Sequence, residues 1–280
     1  MILALSPLGG PAAPEASQFR ADVTLVEVYA SVSGPDGRPV RDLGADDFTV
    51  LEDGVPQPVG AFAAGTVSAS VALAIDRSLS MAGAPLQMAR TAGRVFLASL
   101  RPDDRAMLIG IGGQVEVLAP LGTDRAPLLE QLASLDAWST TALRDAMIRS
   151  IELIDGAHGR RAVVLVSDGR DRYSTATEAD VLDRVRRANV LVYPIALGPA
   201  RPALFVEAAA LSGGRSFALE SPRGLVPTLQ AIAEDLRAQY LLGYVPTRPW
   251  PAGGSEWRDI TVKVNRPGVR VRARAGYATR

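Results

Sequence analysis

Short apolar runs alternate with longer amphipathic segments through the middle of the 280-residue chain. Unbroken apolar runs are typical of strands that are buried on both faces, whereas the amphipathic segments repeat at helical spacing. From residue 70 to about residue 236, the pattern therefore predicts an α/β fold: a doubly wound, mainly parallel sheet with helices on both faces. The predicted elements are strand 71–75, helix 84–100, strand 105–111, an antiparallel edge strand 114–119, helices 126–135 and 142–154, strand 162–166, helix 177–188 and strand 190–196.

The two ends of the chain follow a different pattern, in which short alternating or β-branched runs are separated by turn signals such as Asp53-Gly54. Neither end has enough strands for an independently stable sheet. We therefore expect the two ends to pair into one small β sandwich, with the α/β domain inserted between them. Near the C-terminus, Arg270, Arg272 and Arg274 alternate at period two, which is typical of one solvated strand face.

These patterns divide the chain into a leader (1–17), a discontinuous β-sandwich domain (18–65 and 239–280) and an α/β domain (66–238). The leader has no positive n-region, and its apolar run is too short for an intact signal peptide. It is interpreted either as a disordered segment or as a truncated secretion signal. No apolar stretch is long enough to predict a transmembrane helix.

Composition narrows the function classes. Thirty basic residues balance thirty acidic ones, so no overall field favours nucleic acid or an anionic membrane. The chain has no cysteine, which excludes disulfides, thiolate nucleophiles and cysteine-ligated zinc. Lys263 is the only lysine, and it lies outside any Gly-rich phosphate-binding loop, so nucleotide hydrolysis of that type is excluded.

Candidate metal ligands follow the first predicted strand. Asp76, Ser78 and Ser80 come directly after the apolar run 71–75. Mg²⁺ prefers oxygen ligands and retains water, so one carboxylate with two hydroxyls suits it. A site with so little negative charge keeps the metal electrophilic and would attract a carboxylate from a partner.

Two further segments carry polar groups that could join this site. Asp168 follows strand 162–166, and ligands of open sheets bind at the carboxyl ends of strands. Thr141 precedes a predicted helix, at its natural N-cap position, and Thr140 could take its place as a ligand. Asp145, one helical turn further on, is either a residue that orients ligands or water, or a solvated helix carboxylate.

Together these residues resemble a von Willebrand factor A domain with a metal-ion-dependent adhesion site, whose pattern is Asp-x-Ser-x-Ser, then Thr, then a strand-end Asp-Gly. The segment 40–59 and the segment 239–277 also resemble the flanks of bacterial relatives. The resemblance implies a Rossmann-like fold and a site for Mg²⁺, with Mn²⁺ or Ca²⁺ as alternatives. It implies that Ser78, Ser80 and Thr141 bind the metal directly, while Asp76 and Asp168 often act through water.

The resemblance implies a protein-binding module for adhesion or assembly, in which the metal coordinates an Asp or Glu of a partner protein. Arg77 and Trp138 are expected to contact that partner. Members of this type are commonly exported, which favours the periplasm or the cell exterior, with the cytoplasm left open.

Two other functions stay open at this point. A Mg²⁺-dependent hydrolase would have to rely on carboxylates, because the only histidine, His158, lies in a loop at the far end of a helix from Thr141. The other alternative is a structural scaffold with a vestigial metal site. We expect the binding module rather than an enzyme.

Overall fold

The computed structural model describes residues 25–138, 140–251 and 253–279, so the predicted leader 1–17 lies outside the described residues. The strands are β1 Val26–Ser33, β2 Phe48–Glu52, β3 Val55–Gln57, β4 Val59–Ala64, β5 Ala69–Asp76, β6 Arg105–Ile111, β7 Val115–Gly122, β8 Arg160–Ser167, β9 Leu191–Leu197, β10 Phe217–Leu219, β11 Tyr240–Tyr244, β12 Trp257–Val264, β13 Arg270–Arg272 and β14 Gly276–Ala278. The helices are α1 Ala84–Ser99, α2 Ala126–Ser134, α3 Leu143–Asp155, α4 Glu178–Arg187, α5 Ala203–Ser212 and α6 Leu225–Ala238.

A six-stranded sheet forms the centre, in the order β10-β9-β8-β5-β6-β7. All neighbouring pairs in it are parallel except β6 and β7, which are antiparallel. The predicted fold class is confirmed, including the antiparallel edge strand. Helices on both faces of the sheet connect its parallel strands, because parallel neighbours need a crossover connection.

All eight residues of strand β5 are buried, because helices cover both faces of the central sheet. Side chains alternate between the faces of a strand. Val71, Leu73 and Ile75 pack in the core formed with α1, α2 and α6. Ala72 and Ala74 pack in the core formed with α3, α4 and α5. The run is apolar at every position because alternate side chains of β5 pack into two different cores.

The flanks of the chain combine into two four-stranded sheets, in the orders β13-β1-β11-β4 and β14-β12-β2-β3. Each sheet takes strands from both ends of the chain, and its pairs are antiparallel. A third apolar core, which includes Val28, Val50, Tyr240 and Ile260, contains residues of both sheets. The division into the domains 66–238 and 18–65 with 239–280 stays a prediction.

Some details differ from the sequence-based expectations. Helices α5 and α6 and strand β10 are not among the predicted elements; α5 is apolar on nearly all sides, which leaves no helical period to detect. The prediction that Arg270, Arg272 and Arg274 form one solvated strand face is wrong. Only Arg270 is exposed, whereas Arg272 forms an ion pair with Asp235 and Arg274 is buried. Strand β13 ends at Arg272, so the period-two pattern does not continue to Arg274.

A buried ionic cluster lies beside the core of the two small sheets. Glu52 is only 3% exposed. Its Oε1 accepts a hydrogen bond from Nη1 of Arg258 at 2.9 Å, and its Oε2 accepts from the hydroxyls of Tyr244 and Tyr277, both at 2.8 Å. Burial, together with the Glu52 carboxylate, raises the pKa of Tyr277 to about 12, so this tyrosine stays a neutral donor. The carboxylate is thus fully solvated by protein groups.

Removal of Arg258 from its ion pair with Glu52 tests how far the stability of the two small sheets depends on this pair. We expect Arg258→Met to lower the free energy of unfolding by about 3–5 kcal/mol, because Glu52 would keep a buried charge without a counter-ion. Arg248→Met is the matched control, since Arg248 forms only exposed ion pairs with Asp53 and Glu256. That control should cost less than about 1 kcal/mol in urea-induced unfolding. Equal losses in the two variants would contradict the importance of the buried pair.

Candidate metal centre

Three loops meet at the carboxyl edge of the central sheet and are held together by backbone hydrogen bonds. The Arg77 amide donates to the carbonyl of Ile111 at 2.9 Å, and the Trp138 amide donates to the carbonyl of Arg77 at 3.0 Å. The amides of Arg172 and Tyr173 both donate to the carbonyl of Thr141, at 3.0 and 3.2 Å. The loop before α3 is therefore fixed from both sides, next to the ends of β5 and β8.

Asp76 is the last residue of β5 and is fully buried. The amide of Ser78 donates to its Oδ1 at 2.8 Å, and the hydroxyl of Ser167 donates to its Oδ2 at 2.6 Å. Burial raises the pKa of Asp76, the hydrogen bonds from Ser167 and Ser78 oppose that rise, and the negative charge of Asp168 adds to it. The carboxyl is thus held rigidly in a place where its charge is poorly compensated.

Ser78 and Ser80 present their hydroxyls side by side, with 3.0 Å between the two Oγ atoms. Ser78 is buried and Ser80 is exposed. A short 3-10 turn, Leu79–Met81, places them so, and it is anchored by the fully buried side chain of Met81 in the core below. The pair therefore leads from the interior to the surface, which suits hydroxyls that face an ion at the rim of the sheet.

Asp168 follows β8, and its side chain is 13% exposed. Its Oδ1 accepts the amide of Arg170 at 3.0 Å, which makes a tight turn. Gly169, in that turn, has a φ of 79°, and a Cβ there would lie 2.8 Å from Cγ of Pro202. Position 169 therefore requires glycine both for its backbone angle and for the close approach of Pro202.

Thr141 is 2% exposed, at the junction of the loops, whereas Thr140 lines an open groove beside it. The expectation that Thr141 caps α3 is wrong, because the helix begins at Leu143 and its N-cap is Ala142, which has no side-chain cap. The amide of Arg144 donates instead to Oδ2 of Asp171, at 2.9 Å, and to the hydroxyl of Ser174, also at 2.9 Å. The Thr141 hydroxyl is consequently not used as a helix cap.

The carboxylates of Asp145 and Asp171 organise the loop that follows Asp168. Asp145 accepts from the amides of Thr175 and Ala176, at 3.0 and 2.9 Å. Burial raises the pKa of Asp171, but hydrogen bonds from Ser174 and Arg144 prevail and lower it to about 2. Asp145 therefore holds the loop in place through backbone amides. It is not simply a solvated helix carboxylate.

The donor set fits a hard divalent cation. The five predicted residues offer two carboxylates and three hydroxyls at one edge of the sheet, and oxygen-only donors of this kind suit Mg²⁺. Both carboxylate oxygens of Asp76 already accept hydrogen bonds, which favours its contact with an ion through water. No group of three or more His, Cys, Asp or Glu side chains arranged for a metal occurs within the described residues.

Arg77 and Trp138 lie at the mouth of a groove of about 470 Å³ that Thr140 and Tyr173 also line. The guanidinium of Arg77 bonds to Glu116 at 3.1 Å and to Asp136 at 2.7 Å, and it lies 5.1 Å from the ring centroid of Trp138. Its side chain is only 13% exposed. Trp138, by contrast, is 55% exposed.

Sequence reasoning missed two residues that build this site. Ser167 supports Asp76 from the neighbouring strand, and Asp171 orders the loop over α3. Ser167 precedes Asp168 at the end of a predicted strand, so its place at the carboxyl edge could have been noticed. The contact of Asp171 with α3 had no signal in the sequence, because 26 residues separate it from Arg144.

Comparisons with known proteins agree with the fold. Residues 71–170 match the family model for the von Willebrand factor type A domain, a range that includes all five candidate ligands. No curated protein matches the chain. A von Willebrand factor type A protein from Catenulispora acidiphila superposes with a TM-score of 0.56 at 14% identity, over 90% of this chain and 73% of that one.

Two further solved structures share the fold at low sequence identity. The vWF domain of the type V pili tip protein Mfa5 from Porphyromonas gingivalis has a TM-score of 0.51 at 13% identity, over 60% of this chain and 95% of that one. Proximal thread matrix protein 1 from the mussel byssus, with a zinc-occupied MIDAS motif, has a TM-score of 0.57 at 13% identity, over 67% of this chain and 50% of that one. Residues 71–170 are thus similar to the von Willebrand factor type A domain, and the six-stranded sheet has the fold of the solved proteins that carry this domain.

Proposed function

We propose that the chain is a metal-dependent protein-binding module for adhesion or assembly, in which Mg²⁺ coordinates an acidic residue of a partner protein. The observation that supports the proposal is that Asp76, Ser78, Ser80 and Asp168 lie at or just after the carboxyl ends of β5 and β8, while the Thr141 carbonyl is bonded to the loop that follows Asp168. With three hydroxyls as direct ligands and the two carboxylates acting through water, a bound Mg²⁺ would supply an electrophilic centre, because no carboxylate of the chain would contact it directly.

Each residue of the candidate site has a separate role in this proposal. The hydroxyls of Ser78, Ser80 and Thr141 hold the ion, while Asp76 and Asp168 supply negative charge and orient water. The hydrogen bond of 2.6 Å from Ser167 keeps the buried Asp76 carboxylate in one orientation. Since Ser80 is exposed, the edge of the site is open to a partner side chain.

Binding is favoured over catalysis by the absence of an imidazole near the site. His158, the only histidine of the chain, is exposed, and its carbonyl accepts the hydroxyl of Ser70 at 2.9 Å. Ser70 lies near the start of β5 and Asp76 at its end, so His158 is at the opposite edge of the sheet. A hydrolase at this site would have to use carboxylates alone as acid and base.

The surface around the site supplies the contact area for a partner. Three large side chains beside the site are exposed: Leu79 (66%), Trp138 (55%) and Tyr173 (63%). Burial of large apolar and aromatic side chains in an interface contributes much of its binding free energy. The guanidinium of Arg77 is already paired with Glu116 and Asp136, so its part is to support the ring of Trp138 rather than to bind a partner carboxylate. Trp138 is thus the stronger candidate for partner contact.

The compartment and the metal are also part of the proposal. The solved proteins with this fold include a pilus-tip protein, which supports export to the periplasm or the cell exterior. No helix among the described residues is long and apolar enough to cross a membrane. Mg²⁺ is the proposed metal because the donors are all oxygens, and Mn²⁺ and Ca²⁺ accept the same donors. The mussel protein carries zinc in its MIDAS motif.

Metal uptake should depend on the two serine hydroxyls. We expect wild-type protein to bind one Mn²⁺ or Mg²⁺ in isothermal titration, and Ser78→Ala/Ser80→Ala to lose at least about tenfold in affinity, because two of the proposed ligands are removed. Ser134→Ala is the matched control, since that exposed hydroxyl only bonds to carbonyls of its own helix. Undiminished binding by the double variant would refute the ligand assignment. No uptake by the wild type would indicate a scaffold with a vestigial site.

A free carboxylate should strengthen metal binding if the ion has a position open to a partner. We expect the affinity for Mn²⁺ to rise several-fold in high acetate relative to chloride at the same ionic strength, because acetate would stand in for the partner's side chain. The serine double variant should show no such increase. If acetate leaves the affinity of the wild type unchanged, the proposed capture of a carboxylate is wrong even when metal binds.

A further inference from the structure

A second cavity, of about 360 Å³, lies at the edge of the central sheet opposite to the candidate metal centre. The residues that line it come from the start of β8, the end of α4 and the paired flanks of the chain. Its charged side chains are Arg161, Arg187, Arg274 and Glu27. The cavity therefore carries three guanidinium groups and one carboxylate, in a cleft between the α/β part and the small sheets.

Arg274 is the unusual group in this cavity. It is 9% exposed and forms no ion pair with a carboxylate in the described part of the chain. Its Nε donates to the carbonyl of Gly276 at 2.7 Å and its Nη2 to that of Ala188 at 3.4 Å, and its Cζ lies 5.9 Å from the ring centroid of Tyr277. Among the described residues, no hydrogen bond engages its Nη1. Burial lowers the pKa of Arg274 to about 10, and the positive charge of Arg161 contributes to that fall.

The other charges in the cleft do not neutralise Arg274. Glu27 is engaged by Arg161 at 3.3 Å and by Asn189 at 3.4 Å, both long contacts. Arg187 is paired with Asp183 along its own helix at 2.8 Å. The Nε of Arg161 is buried without a hydrogen-bond partner. A buried cation usually has a counter-ion, because a lone charge away from water is expensive.

Apart from Asn189, the remaining wall of the cavity is mainly apolar. It includes Leu25, Val26 and the rings of Trp250 and Tyr277, whose centroids are 6.1 Å apart. A ligand that fits both features has a charged head for the guanidinium groups and a compact apolar body. Clefts between packed units, with apolar walls and few polar groups, are typical of small-molecule sites.

We propose that this cavity binds a small organic oxyanion, a carboxylate or phosphate on a compact apolar body, with Arg274 as its main counter-ion. The head takes up the Nη1 of Arg274, beside the guanidinium group of Arg161 that lines the same cavity. Guanidinium groups suit both kinds of oxyanion, because their planar donors match paired oxygens. The site is independent of the metal centre, which lies at the other edge of the sheet.

Isothermal titration of the full chain with benzoate and with phenyl phosphate tests the proposal, with EDTA present so that the metal centre cannot contribute. We expect one-to-one binding of at least one of the two anions, and no binding of benzyl alcohol, which has the ring but no charge. Binding of benzoate alone identifies the head as a carboxylate, and binding of phenyl phosphate alone identifies it as a phosphate. The proposal is overturned if neither anion binds.

Two variants locate the binding. Arg274→Gln should weaken the anion at least about tenfold, since it removes a charged donor from a buried contact. Arg270→Gln is the matched control, because Arg270 is exposed and lies outside the cavity. If Arg274→Gln does not fold, Ala278→Leu replaces it, since this change fills the cavity wall and keeps every arginine. Unchanged anion affinity in the folded variant that is measured would refute the site.

Discussion

Strand β5 is buried on both of its faces, and this constraint determines the arrangement of the candidate metal centre. Its apolar side chains serve two cores in alternation, so the strand has no freedom to shift along its neighbours without exposing one set. The register places Ile75 beside Val166, and therefore Asp76 beside Ser167. A carboxylate at the end of such a strand is inside the protein by necessity. It must be supported by short hydrogen bonds, and those bonds also fix its direction.

The loops that surround Asp76 depend on that edge in turn. Arg77 begins a loop whose amide bonds to β6 and whose carbonyl accepts Trp138. Thr141 is held between the end of β6 and the loop after Asp168. Because these are backbone bonds, the positions of the hydroxyls do not rest on exposed side chains. The base of the candidate site is therefore fixed by backbone hydrogen bonds, and Ser80 is exposed at its rim.

Arginine connects the central sheet to the two small sheets. Arg160 is 1% exposed and donates to the carbonyls of Val67, Leu236 and Gln239, at the point where α6 ends and β11 begins. Its charge lies against the negative end of the helix dipole. A planar group with five donors and weak hydration suits such buried junctions better than lysine, of which the chain has one. Arg274 resembles Arg160 in this respect, since its hydrogen bonds also go to carbonyls rather than to a carboxylate.

The same junction contrasts a satisfied network with an unsatisfied one. Tyr193 donates to Asp235 at 2.7 Å, and Arg272 forms an ion pair with the same carboxylate. Burial raises the pKa of Tyr193, so its hydroxyl stays a donor. Here the negative charge of Asp235 balances Arg272 within the chain. At Arg274, two residues further on, the chain supplies two carbonyls and the ring of Tyr277, and no carboxylate among the described residues bonds to it.

The sequence by itself determined the fold class and the place of Asp76 and Asp168, because short apolar runs that alternate with amphipathic helices favour doubly buried strands, and the carboxyl ends of parallel strands meet at one edge. It also indicated that the two ends of the chain pair with each other. Tertiary structure decided which polar groups meet: Ser167 with Asp76, Asp171 with α3, and Arg77 with Glu116. It also decided that Arg274 is buried. Local patterns reveal which face of an element is apolar, but contacts between residues far apart in the chain depend on how the elements pack.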